Sequence, residues 1–185
     1  MSRAEHISRH PWSVPVAVSE VPAMGRHFDL LPDELTRAAV ARLAGLVALP
    51  RLCARFEVSP HGSGGLHVVG RVSATVGQTC VVTLEPIEND IDEPIDLVFL
   101  PAGSPSLIGQ SGAGIDVLAE DEPEVLVGGT VDLGAIATEF LVLSLDPYPR
   151  KSNAVFQAPA AVSDESDHAF AALAELKKRQ GGKQK

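Results

Sequence analysis

The sequence predicts an α+β fold: a mainly antiparallel sheet with a long β-hairpin, helices packed on one face, and an acidic flexible loop. Three observations carry this expectation. Leu66, Val68, Val72, Ala74, Val76, Cys80, Val82 and Leu84 fall on one parity and His67, Arg71, Ser73, Thr75, Thr79 and Thr83 on the other, the alternation of a half-buried strand. Two other stretches carry apolar residues at helical spacing behind an aspartate. Between the strands and the second helix, residues 101–123 turn to Pro, Gly, Ser, Ala and acids. A chain of 185 residues with 45% apolar content can bury a core as one domain of common size.

Trp12, Val14, Val16 and Val18 alternate, but Pro11 and Pro15 make this an edge strand or a partly irregular one. Leu31-Pro32-Asp33-Glu34 opens a helix with acids in its first turn. Leu35, Ala38, Ala39, Leu43 and Leu46 form its predicted packing face, with Arg37 and Arg42 near the outer side and Gly45 at its end. Leu52, Ala54, Phe56 and Val58 alternate with Arg51, Cys53, Arg55 and Glu57 as a strand, and residues 60–65 are a turn. The long strand 66–84 bends at Gly77 or runs straight, the turn falls on residues 85–89, and Ile91, Ile95, Leu97 and Phe99 return antiparallel to it. Pro94 places the return strand at an edge or at a bulge. Val125–Val127 is a short strand, and Asp132 caps a helix carrying Leu133, Ile136, Ala137, Phe140 and Leu141. That helix stops before Asp146-Pro147, and 147–151 is extended. Residues 1–160 are thus one domain containing the acidic loop at 101–123, and 161–185 are a C-terminal helix and basic tail.

The net charge of −9 is unevenly placed. Residues 1–71 hold eight Arg against six acids, 72–149 hold fourteen acids and no base, and 150–185 hold seven bases against four acids. The acidic middle repels phosphate backbones and attracts a basic partner. Six Phe, one Trp and one Tyr leave few aromatics for stacking nucleic-acid bases. No apolar run reaches the ~18 residues of a membrane span, and the first residues lack the apolar stretch of a signal peptide. Two distant cysteines, Cys53 and Cys80, suit a reducing compartment, so the expected location is the cytoplasm.

The sequence contains no phosphate-binding loop, dinucleotide fingerprint or nucleophile elbow. His6 and His10 share a helical spacing but have no third ligand near them. His61 and His67 flank a glycine-rich turn and would serve a Cys53 or Cys80 nucleophile only if the fold joined them. No carboxylate pair has a spacing that implies acid–base work. No cofactor, metal or small-molecule substrate is therefore expected.

Three blocks resemble the YceD family of large ribosomal RNA subunit accumulation proteins. They are Gly70–Val76 followed by Cys80–Pro86, Val131–Glu139 leading into Leu145–Arg150, and His168–Lys178. The similarity runs with gaps from about residue 10 to 178. It implies a non-enzymatic role in 23S rRNA accumulation and large-subunit assembly. Some members of the family show a Cys-x-x-Cys pair on the hairpin, with more cysteines near the end. Thr83 stands at the second hairpin position here, so the resemblance implies a metal-free member with Cys80 buried.

The leading expectation is a binding protein whose hairpin and loop meet a basic partner such as a ribosomal protein. Its contact surface is residues 85–96 and 116–124, through Glu85, Glu88, Asp90, Asp92, Glu93, Asp96, Asp116, Glu120, Asp121, Glu122 and Glu124. Arg71, Arg150, Lys177, Lys178 and Arg179 are the candidate RNA contacts. The alternative is direct rRNA binding through Arg51, Arg55, Arg71 and the Lys-rich tail, and the remote one is a cysteine-dependent enzyme.

Overall fold

The computed structural model describes residues 10–104 and 123–156. Its strands are β1 (Pro15–Ala17), β2 (Arg26–Leu30), β3 (Ala48–His61), β4 (Gly65–Thr79), β5 (Pro86–Pro101), β6 (Glu124–Leu126) and β7 (Thr130–Asp132). Its helices are α1 (Glu34–Leu43) and α2 (Leu133–Leu143). A five-stranded sheet has the order β2-β3-β4-β5-β6, antiparallel except for the parallel pair β5-β6. β1 and β7 form a separate antiparallel pair. The expected α+β class with a long hairpin is what the chain forms. The C-terminal helix and basic tail expected at 161–185 and most of the loop expected at 101–123 lie outside the described residues.

β4 is the centre of the sheet. Its even-numbered residues Leu66, Val68, Val72, Ala74 and Val76 are fully buried. They meet Leu52, Ala54, Phe56 and Val58 of β3, Ile95 and Phe99 of β5, and Val40, Ala41, Leu133, Ile136, Ala137 and Leu141 of the helices in one core. Each large apolar side chain so buried contributes about 1.5–3 kcal/mol. A bulge between Ala48 and Arg51 puts one extra residue on β3, so both Leu49 and Leu52 point inward. Gly62 and Gly64 take positive φ in the turn between β3 and β4.

Both helix starts follow the sequence. Asp33 accepts the Thr36 N–H at 2.8 Å. Asp132 accepts from Gly134 and Ala135 at 3.1 Å each, and also from Val14 N–H at 2.8 Å and the Ser13 hydroxyl at 2.6 Å. One carboxylate thereby caps α2 and ties the β1 strand to it.

Three expectations need correction. The packing face of α1 is Val40 and Ala41, while Leu35 and Leu43 are 81% and 57% exposed. The short side chains let α1 lie close against β3, and this turns the longer leucines outward. Arg37 is correspondingly half-buried and donates to the Pro32 carbonyl at 2.9 Å. The hairpin turn is residues 80–85, and β4 ends at Thr79. Leu84 adopts φ +59° and is 76% exposed, so its parity match with the strand is accidental. The loop is set instead by Leu84 N–H to Cys80 O and by the distant bond Val81 N–H to Pro149 O, both 2.9 Å. Finally, β2 was not anticipated: its two outward positions, His27 and Asp29, and its inward Phe28 make too short an alternation to stand out.

Gly70 is fixed by close approach. A Cβ there would lie 2.4 Å from the Arg55 carbonyl and 2.5 Å from Phe56 Cδ1. Gly70→Ala should lower stability by about 1–3 kcal/mol, the cost of overpacking, as read by urea denaturation. Asp132→Ala should cost about 2 kcal/mol in the same assay, because α2 loses its cap and the Val14 N–H loses its acceptor.

Candidate functional site

The outward face of the sheet collects five of the sixteen candidate contacts, Arg71, Glu88, Asp90, Asp92 and Asp96, together with Arg51 and Arg55. Register places Asp29, Arg55, Arg71 and Pro94 in one row across β2 to β5. Cys53, Ser73 and Asp92 form the next row, and Arg51, Thr75 and Asp90 the one after. Asp90 and Asp92 among the acidic candidates are therefore neighbours of Arg51, Arg55 and Arg71 on one surface.

They also bind each other. Asp92 accepts from Arg71 at 2.6 Å and from the Ser73 hydroxyl at 2.8 Å. Asp90 accepts from the Thr75 hydroxyl at 2.7 Å and from Arg51 at 3.4 Å. Asp96 meets His67 at 2.7 Å, and Arg55 meets Asp29 at 3.2 Å. The Ser73 bond, with the Arg71 charge behind it, holds the Asp92 carboxyl below the usual range, and the Thr75 bond does the same for Asp90. Sequence reasoning missed Asp29, Ser73 and Thr75 as partners. Their shared outward parity on paired strands was the available signal.

The remaining candidates are scattered. Glu88 lies on the outward parity of β5, opposite Gly77, whereas Glu93 lies on the inward parity, opposite Val72. Glu85 is in the 80–85 loop, paired with Lys151 at 2.9 Å, and that contact holds its carboxyl low. Glu124 opens β6, where burial first and the Glu139 charge second push its carboxyl up. Arg150 borders a hollow of about 230 Å³ with Gln78, Asn89, Asp90 and Asp146. Asp116, Glu120, Asp121, Glu122, Lys177, Lys178, Arg179 and His6 lie outside the described residues.

Cys53 and His67 are not brought together. Cys53 is opposite Ser73, six residues along β4 from His67, which is about 20 Å. His61 and His67 pack edge to face with each other. Among the described residues, no three His, Cys, Asp or Glu side chains gather as metal ligands would, and no helix is long and apolar enough to cross a membrane.

Cys80 is fully buried, and its sulfur accepts the Thr83 and Lys151 N–H groups at 3.4 Å each. The Thr83 side chain and these N–H groups hold the thiol down to about 6, against 9.0 ordinarily. The unfolded chain keeps this proton up to about pH 9 and the folded one releases it near 6. Between those values the folded state binds fewer protons, so stability rises with pH across the interval and is lost as pH falls through 6. Thr83→Val and Cys80→Ser should both flatten that rise in urea denaturation at pH 6, 7, 8 and 9. An unchanged slope in both variants would contradict this account of the thiol.

No curated protein and no solved structure gives a significant match. The family model described as large ribosomal RNA subunit accumulation protein YceD matches residues 68–177. The match covers more than half of the 185 residues, from β4 through α2 and beyond, and is narrower than the 10–178 similarity expected from the sequence blocks. Arg51 and Arg55 lie outside it, while Arg71 and every candidate acid lie inside. On this match the chain belongs to the YceD family, whose name ties it to accumulation of large-subunit ribosomal RNA.

Proposed function

We propose that this protein is a non-enzymatic, cytoplasmic accessory factor of large-subunit assembly that holds a basic segment of a ribosomal protein along the outward face of β5. The observation that carries this reading is the carboxylate row Glu88, Asp90, Asp92 and Asp96. The last three are paired within the sheet, yet their side chains stay 76%, 60% and 67% exposed. A carboxylate offers about four lone-pair sites, so each keeps acceptors for a second cation. Alternate residues on a strand repeat about every 6.6–7 Å. An extended Lys/Arg-rich segment has the same repeat and would match cation to carboxylate.

The edge of β5 supports the same reading. β6 covers only Phe99–Pro101, and no other described strand lies on that side of β5. A partner strand added there would gain main-chain hydrogen bonds except at Pro86 and Pro94, which have no N–H. The family membership supplies a setting rich in basic proteins. The separation of Cys53 from His67 supports the non-enzymatic part.

The test is affinity capture of large-subunit precursors with the wild-type protein and with a Glu88→Gln/Asp96→Asn variant, at low and high salt. The expected result is crosslinks from β5 to one or a few basic ribosomal proteins, weakened by salt and by the variant. Capture that is indifferent to both changes would rule out the carboxylate row as the contact.

A further inference from the structure

The sheet's outward face also contains a feature of the opposite sign. Between β3 and β4 lies a depression of about 220 Å³ lined by Arg51, Cys53, Arg55, Arg71 and Ser73. Its lining holds three guanidinium groups and no carboxylate. Arg55 and Arg71 are direct cross-strand partners. Like charges so placed repel, and a sheet tolerates them only with compensation.

The compensation comes from outside the depression. Arg55 is held by Asp29, Arg71 by Asp92, and Arg51 by Asp90 and the Thr75 hydroxyl. These contacts occupy Nε of Arg55, one terminal nitrogen of Arg71, and Nε and one terminal nitrogen of Arg51. A guanidinium has five N–H donors, so each keeps donors without a protein partner among the described residues. The aspartates thus fix where the arginines stand and leave their forks open. Fixed guanidinium forks match the oxygens of a phosphate two at a time.

The geometry points to this depression as a binding site for a phosphate group, carried by an RNA backbone or free as inorganic phosphate. Its volume equals roughly seven waters at about 30 Å³ each, which is room for the group. The acidic surroundings do not cancel the site. Asp29, Asp90 and Asp92 offset much of the arginines' charge, yet they leave guanidinium donors open, and it is on these donors that the site rests. At the floor, Ser73 gives its hydroxyl hydrogen to Asp92 and the Cys53 thiol points to the Ser73 carbonyl at 3.6 Å, so the donors left for an anion are those of the arginines. The phosphate contacts are the arginines and not the β5 carboxylates, although Asp90 and Asp92 of that row position Arg51 and Arg71.

The test uses the full chain. Inorganic phosphate is titrated while the Nε–Hε NMR signals of the arginines are followed. In parallel, a short single-stranded RNA from the large-subunit transcript is bound across a salt series. Phosphate should shift Arg51, Arg55 and Arg71 together and leave Arg37 and Arg42 of α1 unmoved. Shifts with phosphate but no RNA binding would make the free anion the ligand. RNA binding with the same three signals shifted would make it the backbone. Arg55→Gln and Arg71→Gln should each weaken whichever ligand binds, and with RNA each should lower the salt slope by about 0.7 per lost contact. The control Arg37→Gln/Arg42→Gln removes more charge and should change neither. Arg55 is 77% exposed, so its variant reports even if Arg71→Gln disturbs the sheet. Equal losses in the control, no response to either ligand, or the same signals moving with a lysine-rich peptide and not with phosphate would each overturn the assignment.

Discussion

The register of β4 is the constraint on which the rest depends. Its even residues are the centre of the core and its odd residues are the centre of the polar face. A slip of one position against either neighbour would send Arg71, Ser73 and Thr75 into the interior and expose the valines. Both faces hold the register. On the inner one, Phe56 lies over Gly70, where no other residue fits. On the outer one, Ser73 and Thr75 give their hydroxyls to Asp92 and Asp90 of β5. The polar face is thus part of what specifies the fold, as well as the surface left for partners.

That face changes the meaning of the charge distribution. The acidic middle of the chain contains no base, yet its carboxylates are partly neutralised by the fold. Arg51 reaches Asp90, His67 reaches Asp96, Arg71 reaches Asp92 and Lys151 reaches Glu85. Each of these cations comes from outside the base-free stretch. Exposed pairs of this kind are weak and screened by salt. Their main effect is positional: they fix where charge of either sign is presented.

What was legible in the sequence follows from the range of the interactions involved. The alternation in β4 and the caps at Asp33 and Asp132 are written in a few consecutive residues. The inward face of α1 is not, because Leu35 and Leu43 are more apolar than the Ala41 that packs. Only the proximity of β3 decides that choice. The 80–85 loop likewise depends on Pro149 and Lys151, about seventy positions away. Most acids and bases of the outward face were named from sequence, Asp29 excepted, but their pairing needed the register of four strands. The three arginines of the depression were named together as alternative rRNA contacts, but the depression itself was not legible, since Cys53 and Ser73 enter it only as cross-strand partners.

The two proposed sites share their anchors, and this would couple them. Asp92 and Asp90 both belong to the carboxylate row and hold Arg71 and Arg51 at the depression. A phosphate taking up the guanidinium donors would loosen those pairs and free the carboxylates for an incoming cation. A cation on Asp90 or Asp92 would equally free the arginines for phosphate. Linkage makes the two effects equal in free energy. Each ligand then favours the other, the behaviour expected of a surface that meets a basic protein segment and a phosphate together. Ion pairs that do little for stability would in this way couple the two ligands at the face they organise.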